Sequence, residues 1–400
     1  MTAALSASSC GIPVTLIEHK DRVGKKILST GNGKCNFTNQ FQGKRDYYGS
    51  SPDFVVPALT FMGLEQTLSF FRELGVLSVC RDGYYYPRTL QAQTVLDALR
   101  FALDRQGVHV ICDTSVSGIS GLEGDFHLLL KGRDGKTIQR TFGRIIFATG
   151  GLAFPSSGSD GSADPLVRSL GHHITKRYPA LTALNTKEKL SPSWKGVRAD
   201  GKVSLLCNSK VLQQEEGQVQ LTDYGVSGIP VFQMSRNAAK LLGEGKEVSI
   251  SLDVLPELTE EGLAKELGRR SLRKNESLEK ALCGLIHKKV LFVLLKKAGL
   301  SPEKAAGTVP EDGWGRLAFL MKHYSAKVTG TQPFSKAQVT AGGIELSEVD
   351  PATMESRIKK GIYFAGEMLD IDGRCGGYNL QWAWSSGALA GKSAGGSSTC

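Results

Sequence analysis

Four stretches of this 400-residue chain gather groups that could do chemistry. Gly24-Lys-Lys-Ile-Leu-Ser-Thr-Gly-Asn-Gly-Lys-Cys-Asn-Phe-Thr-Asn39 places Gly31 and Gly33 around Asn32. It crowds Lys25, Lys26, Thr30, Lys34, Cys35, Asn36, Thr38 and Asn39 beside them. A loop of this kind can turn several backbone N–H groups onto one anion or polar ring edge. Gly366-Glu367 ends the apolar run Ile362–Ala365. A second glycine pair, Gly376-Gly377, follows, with Tyr378, Asn379 and Leu380 behind it. Small residues then recur at helical spacing, Ala383, Gly387, Ala390 and Gly391, so a helix N-terminus with free N–H groups and partial positive charge should face whatever the glycines admit. Pro13–Glu18 is an apolar run ending in an acid, which in dinucleotide folds accepts hydrogen bonds from ribose hydroxyls. The fourth stretch, Arg144–Thr149, runs into Ala148-Thr149-Gly150-Gly151.

Other reactive side chains form no pattern that names a catalytic residue. The eight cysteines are scattered without a C-x-x-C pair, which argues against a zinc ribbon and fits a reducing cytoplasm. No metal-ligand spacing appears, and His172-His173, His287 and His323 read equally well as surface or core residues. No apolar run approaches the ~18–20 residues of a membrane span, and Met1–Gly11 has neither the charge nor the apolar stretch of a signal peptide. The net charge of +10 is uneven: residues 261–330 hold 14 Lys/Arg against 7 Asp/Glu. That excess would attract phosphate, nucleic acid or an acidic partner. Solvated faces of ordinary helices explain it as well and carry more weight.

The elements that must position these groups alternate between strand and helix. Residues 1–11 read as the back of a helix with a glycine cap, and Pro13–Glu18 as a buried strand. Leu64–Leu74 and Thr89–Gln106 have helical periodicity, and Val108–Cys112 returns to a sheet. Tyr84-Tyr85-Tyr86-Pro87 could wall a substrate pocket, though strand packing explains it too. Ser115–Ile119, Phe126–Lys131 and Thr137–Thr141 predict a β-meander turning at Gly132–Gly135. Asp164 should cap a helix over Pro165–Leu170. Lys202–Cys207, Lys210–Gln214, Gln218–Thr222 and Val248–Leu252 predict a β-rich region, with Asp223–Pro230 interrupting it. Residues 255–330 read as helical, clearest over Leu278–Leu300, and Thr340-Ala-Gly-Gly-Ile344 leads back towards the first region.

The 361–391 block resembles the C-terminal FAD motif of glutathione-reductase-type flavoproteins. Together with the 24–39 loop, nearly the whole chain is similar to the bacterial aminoacetone-oxidase-like family of NAD(P)/FAD-dependent oxidoreductases. The resemblance implies an α/β fold, a glutathione-reductase-type FAD-binding parallel sheet with an inserted β-rich domain and a helical subdomain. The boundaries would be 1–178 and 331–392 for the FAD domain, 179–254 for the β-rich insert, 255–330 for the basic helical part, and 393–400 for a tail. FAD would be held by Glu18 at the adenosine ribose and the backbone of Val116 at the adenine. Lys25, Lys26, Thr30, Gly31, Asn32, Gly33, Lys34, Cys35 and Asn36 would line it, as would Ala148, Thr149, Gly150 and Gly151. Gly366 and Glu367 would lie near its ribityl or pyrophosphate region, with Gly376, Gly377, Tyr378, Asn379 and Leu380 near its ring. The helix after Asn379 would aim its dipole at the ring's N1/O2 edge and favour the anionic reduced form. Cys35 and Cys375 would both lie near the ring, which suggests a redox dithiol, but buried cysteines are usually fillers.

The fingerprint G-x-G-x-x-G should lie about 20 residues before the acid, and Glu18 stands too early for it. The sequence is therefore expected to start inside the first helix, without the first strand and glycine loop, which puts FAD affinity itself in question. No second fingerprint appears, so NAD(P)H would act as a transient donor without a domain of its own. Three functions follow as expectations. The first is an FAD-dependent oxidoreductase of a small organic substrate, oxidising an amine with oxygen or reducing a double bond with NAD(P)H. The second is an RNA-acting flavoprotein using the basic segment. The third is a non-catalytic remnant that has lost FAD.

Overall fold

Ile145–Phe147 and Ile362–Phe364 carry apolar side chains on both faces, the composition of a strand covered on two sides. In the computed structural model they pair in parallel, Ile146 opposite Tyr363, and Phe147 stacks on Phe364 with ring centroids 5.7 Å apart. Thr15–Ile17 and His109–Ile111 form a second parallel pair. The expected parallel sheet is thus present as two separate two-stranded pieces. The structure describes residues 1–187 and 192–396; residues 397–400 of the expected tail lie outside them.

The chain divides into two compact units, Met1–Tyr178 with Phe334–Cys400, and Pro179–Pro333. In the first unit the meander forms as Thr114–Leu122, Asp125–Gly132 and Thr137–Phe142, burying Phe126, Leu128 and Leu130 at every second position. Tyr84–Pro87 is the middle strand of a small antiparallel sheet, between Thr38–Asn39 and Ser78–Arg81. Helices occupy Leu64–Glu73 and Ala92–Arg105. Asp164 does not cap its helix: Ala163 is the N-cap, and the Asp164 carboxylate pairs with Arg177.

The C-terminal helix spans Tyr378–Ala394, two residues into the expected tail. It packs on the helix Thr2–Ser8, and a Cβ at Gly391 would clash with the Ala3 carbonyl oxygen. Ser6 Oγ donates to Ala388 O at 2.7 Å across the same seam. No single helix among the described residues is long and apolar enough to cross a membrane.

The second unit is built on a closed six-stranded antiparallel barrel: Leu184–Thr186, Gly225–Ser227, Lys210–Leu221, Arg198–Cys207, Val248–Asp253 and Tyr324–Thr331. Two strands expected over 210–222 are one, because Glu215, Glu216 and Gly217 keep pairing with Val203, Lys202 and Gly201. Residues 179–254 and 255–330, expected as separate domains, share this unit and one hydrophobic cluster, from Leu184 in the barrel to Leu294 and Leu317 on helices. The expected helix over Leu278–Leu300 breaks into Leu278–Ala281 and Lys288–Lys297, with Gly284 at φ +77° between them. Lys322 sits against Asp253 at 2.6 Å and donates to Leu255 O and Leu258 O, so its buried ammonium is fully engaged.

His172 belongs to the structure. Its side chain is buried, with Nδ1 3.0 Å from Glu348 Oε2 and Nε2 2.8 Å from Ser356 Oγ. That is the connectivity of a hydrolytic triad, but Ser356 is 1% exposed and its Oγ accepts N–H bonds from Ile358 and Lys359. Burial pulls the His172 pKa below its ordinary 6.5, outweighing the pull of Glu348. The neutral ring is the folded form, so its stabilisation is complete above pH 6.5 and fades as pH falls below it. Glu348, also held low, adds a loss of the same sign that begins only below its ordinary 4.5. Urea midpoints should therefore drop between pH 7 and 5 in the wild type and drop less in His172→Gln. Equal slopes would remove His172 from the account.

Candidate functional site

Glu367 follows the strand Ile362–Phe364 and each of its carboxylate oxygens has a partner. Lys26 Nζ lies 2.5 Å from Glu367 Oε2, and Thr340 N donates to Glu367 Oε1 at 2.8 Å. Lys26 Nζ also donates to Ala153 O at 3.1 Å and reaches Ser159 Oγ at 3.4 Å. Thr340 Oγ1 in turn accepts from Leu152 N and Ala153 N at 2.8 and 3.0 Å. Four separated segments (around residues 26, 152, 340 and 367) thus meet at one ion pair. A Cβ at Gly151 would come 2.5 Å from Thr340 Oγ1 and 3.1 Å from Glu367 Oε1, so only glycine fits there. Gly366 is pinned as well: its N–H bonds Ser386 Oγ at 2.9 Å and its carbonyl accepts from Trp382 Nε1 at 3.0 Å.

The second junction joins the 24–39 loop to the glycine pair. Asn39 Nδ2 donates to Gly376 O at 2.9 Å, and a Cβ at Gly377 would lie 2.6 Å from Thr38 O and 2.9 Å from Asn36 Oδ1. Beneath it Thr38 Oγ1 donates to Gln381 Oε1 at 2.6 Å, while Gln381 Nε2 reaches Met62 O, Thr67 Oγ1 and Ser385 Oγ, each at 2.8 Å. Gln381 is completely buried and ties the C-terminal helix to this loop. Two parts of the chain more than 330 residues apart are thereby locked together, and the helix N-terminus of Tyr378–Ala394 opens at their meeting point.

Several expected ligands have other employment. Lys25 pairs with Asp21, and Thr30 Oγ1 donates to Ile27 O at 2.5 Å. Gly31, Asn32, Gly33 and Lys34 are exposed at the end of 3-10 turns spanning Lys25–Gly33. Cys35 is fully buried in the core, and burial pushes its thiol up to about 11; Cys375 is likewise raised to about 11. Neither is a thiolate near neutral pH, which removes the physical basis of the dithiol idea. The final helix begins at Tyr378, one residue before Asn379 rather than after it. Tyr378 is buried against Tyr47, Asn379 accepts from Gly373 N and donates to Gly373 O, and Leu380 packs on the apolar cluster around Phe37. Each of these three side chains thus has a partner in the turn or the core beside it.

At the other end Glu18 Oε1 accepts from Lys20 N at 2.9 Å, and Val116 sits on an edge strand at a bulge. Beside them His19, Lys20, Lys25, Ser115 and Arg133 line a cavity of about 650 Å³. Ala148 and Thr149 are exposed, with Thr149 Oγ1 3.2 Å from Met368 Sδ. Gly150, at φ +77°, has Ser159 Oγ 2.7 Å from its Cβ position. Among the described residues no group of three His, Cys, Asp or Glu could hold a metal ion. Sequence reasoning gave no role to the side chains of Ser159 and Gln381, and it took Thr340 only as the start of the stretch leading back to the first region; the partners of all three lie far away along the chain.

This arrangement fits FAD. Gly150, Gly151, Gly376 and Gly377 let separated segments approach one another where a Cβ would collide, and Asn36 Oδ1 is buried beside Gly377 without a hydrogen-bond partner, an acceptor that a polar group of the cofactor would satisfy. On the family resemblance, Glu18 and Val116 would hold the adenosine, and the glycine pair and helix N-terminus would hold the ring. The bound cofactor would supply two-electron transfer, while the protein orients it and shapes the space above the ring.

Known proteins agree with that fit. The profile of the HI0933-like protein Rossmann domain matches residues 1–393. A 3-dehydro-bile acid delta(4,6)-reductase of Clostridium scindens is 39% identical over 397 residues, 98% of this chain and 96% of its own length. A ribosomal RNA dihydrouridine synthase of Escherichia coli is 28% identical over 96% of this chain and 93% of its own. Among solved structures, a 3-ketosteroid delta1-dehydrogenase of Sterolibacterium denitrificans shares the fold with a TM-score of 0.53 at 11% identity, covering 99% of this chain and 97% of that one. The close-packed glycines and the two junctions are in keeping with the extent of these matches, which lead to one conclusion: the chain belongs to the HI0933-like family of Rossmann-type, FAD-dependent oxidoreductases.

Proposed function

We propose that this FAD-dependent oxidoreductase reduces a carbon–carbon double bond conjugated to a carbonyl in a small organic substrate, with NAD(P)H as transient donor. The observation that carries the reading is the 39% identity, over nearly the full length of both chains, to a protein named as a bile acid delta(4,6)-reductase. The more distant relatives are named as makers of dihydrouridine, which is also the saturation of a bond next to a carbonyl. One chemistry therefore covers both kinds of relative, whereas amine oxidation covers neither.

RNA is the second reading, favoured by those dihydrouridine synthases and by the basic segment. Half of that segment's 14 cations, however, sit in ion pairs: Arg269 and Arg270 with Glu266, Arg273 with Glu276, Lys288 with Glu279, Arg316 with Asp312, Lys322 with Asp253 and Lys327 with Glu247. Local carboxylates so blunt the field a phosphate chain would meet. A direct test offers the NAD(P)H-reduced flavoprotein, without oxygen, either a 3-oxo steroid with conjugated double bonds or a ribosomal RNA fragment. The steroid should reoxidise the flavin within seconds and the RNA should not. Reoxidation by RNA alone, with binding that weakens steeply in salt, would reverse the order of the two readings.

A further inference from the structure

We propose that Tyr84 is the acid of this reduction, giving its phenolic proton to the substrate carbon next to the carbonyl. The inference rests on the reduction reading and adds a residue to it. The turn Arg374–Gly377 is half-buried along its length, between the buried strand Ile371–Gly373 and the N-terminus of the final helix, and so is not sealed from solvent. The Tyr84 ring lies over that turn: a Cβ on Gly376 would come 2.5 Å from Tyr84 Cε1. Strand alternation puts Tyr84 and Tyr86 on one face and turns Tyr85 to the other, where it packs on the cluster around Phe71 and Leu96. Both Tyr84 and Tyr86 feel Cys375, and Arg374 acts on Tyr84.

Several other acids in this unit sit among carboxylates or hydrogen-bond partners of their own. His19 lies between Glu18 and Asp160, His127 between Asp125 and Thr141, and His172 and His173 both meet Glu348. The Tyr47 hydroxyl lies between Gln42 Oε1 and Tyr378 O. Burial holds Tyr84 above the ordinary phenol range despite Arg374, so it keeps its proton at neutral pH. Tyr86 shares the face, but the contact with Gly376 belongs to Tyr84.

The step balances simply. Bound FAD, once reduced by a nicotinamide nucleotide, would supply the hydride that the far carbon of the double bond needs, which leaves the proton as the part this chain must provide. The enolate re-forms its C=O, and the C=C electron pair takes the proton as the Tyr84 O–H bond breaks. The phenolate then regains a proton from water.

Y84F in the FAD-loaded enzyme tests this by single turnover of a conjugated 3-oxo steroid in D₂O. Flavin reoxidation should slow by about 10²- to 10⁴-fold. Affinity for the saturated steroid, read by quenching of protein fluorescence, should change less than about threefold, since one phenolic hydroxyl contributes little to a bound steroid's apolar area. Residual product should lose stereospecific deuterium at the carbon next to the carbonyl. Y84H should regain rate as pH falls through the ordinary histidine range, a rescue that mere packing would not give. Unchanged rate and labelling in Y84F, with the wild type active, would overturn the role of Tyr84 and leave the reduction reading intact. So would loss of labelling in Y86F or C375S instead. A wild type that leaves the steroid unreduced would overturn both.

Discussion

Gly377→Val should purify without flavin. Gly377 has φ +94°, in the left-handed region where a β-branched residue is strained by about 1–3 kcal/mol. The new Cβ would also sit 2.6 Å from the Thr38 carbonyl oxygen and 2.9 Å from Asn36 Oδ1, so the strain adds to a collision with backbone that cannot rotate away. Either the turn or the Thr38–Asn39 strand must shift. Both shifts break the Asn39–Gly376 bond and tilt the start of the final helix. Flavin affinity should fall by about two orders of magnitude or more, since each 1.4 kcal/mol is a factor of ten. Visible flavin absorbance per protein and titration with added FAD would measure it. Gly315→Ala, with open space around its Cβ position, should keep its flavin. If Gly377→Val retains stoichiometric flavin while staying folded by circular dichroism, the glycine pair does not hold the cofactor.

Motif and periodicity made much of this arrangement legible. The Ile362–Ala365 run, the glycine pair and the 24–39 loop each carry their signal within a short window, because glycine and strand patterning act locally. Their meeting is a long-range fact, and it came from the family resemblance rather than from any spacing. What stayed hidden is of one kind. Gln381 and Thr340 look like ordinary polar residues in sequence, yet each satisfies backbone groups of segments tens to hundreds of residues away. Conversely, the small residues Gly387 and Gly391 show the periodicity of a cofactor helix, but their period says only that something approaches closely, and the partner is the helix Thr2–Ser8. Asn379 and Tyr378 illustrate the same ambiguity at the turn: a polar or aromatic residue beside a glycine pair can serve the ligand or the turn, and both have partners in the turn or the core beside it. The fusion of two strands at Gly217 escaped notice because a glycine and two glutamates read as a break, although Glu216 points to solvent and Glu215, on the face of Val203, accepts from Gln213 Nε2 at 2.9 Å.

Lys26→Met should loosen the first junction far more than Glu367→Gln. Glu367 is 17% exposed on its side chain and Lys26 30%, so the pair is shielded but not dry. With lysine gone, the carboxylate keeps the Thr340 N–H and loses its cation, and Ala153 O loses its donor as well. Hydrogen bonds to charged groups contribute about 1.5–3 kcal/mol, which sets the expected loss of stability. Glu367→Gln keeps one carbonyl oxygen, which can still accept from Thr340 N, while its –NH2 takes the place of the oxygen that met Lys26; Lys26, part-exposed, keeps Ala153 O and Ser159 Oγ, so the loss should stay near the roughly 1 kcal/mol of an ordinary hydrogen bond. The double variant removes the stranded charge, and it should recover part of the Lys26→Met loss, giving a coupling of about 0.5–3 kcal/mol in the cycle. Urea midpoints of flavin-free protein read the scaffold, and repeating them with FAD present separates scaffold from ligand, since bound FAD adds stability by mass action. Strictly additive single losses would mean that Lys26 and Glu367 act independently, and the four segments would then need another tie.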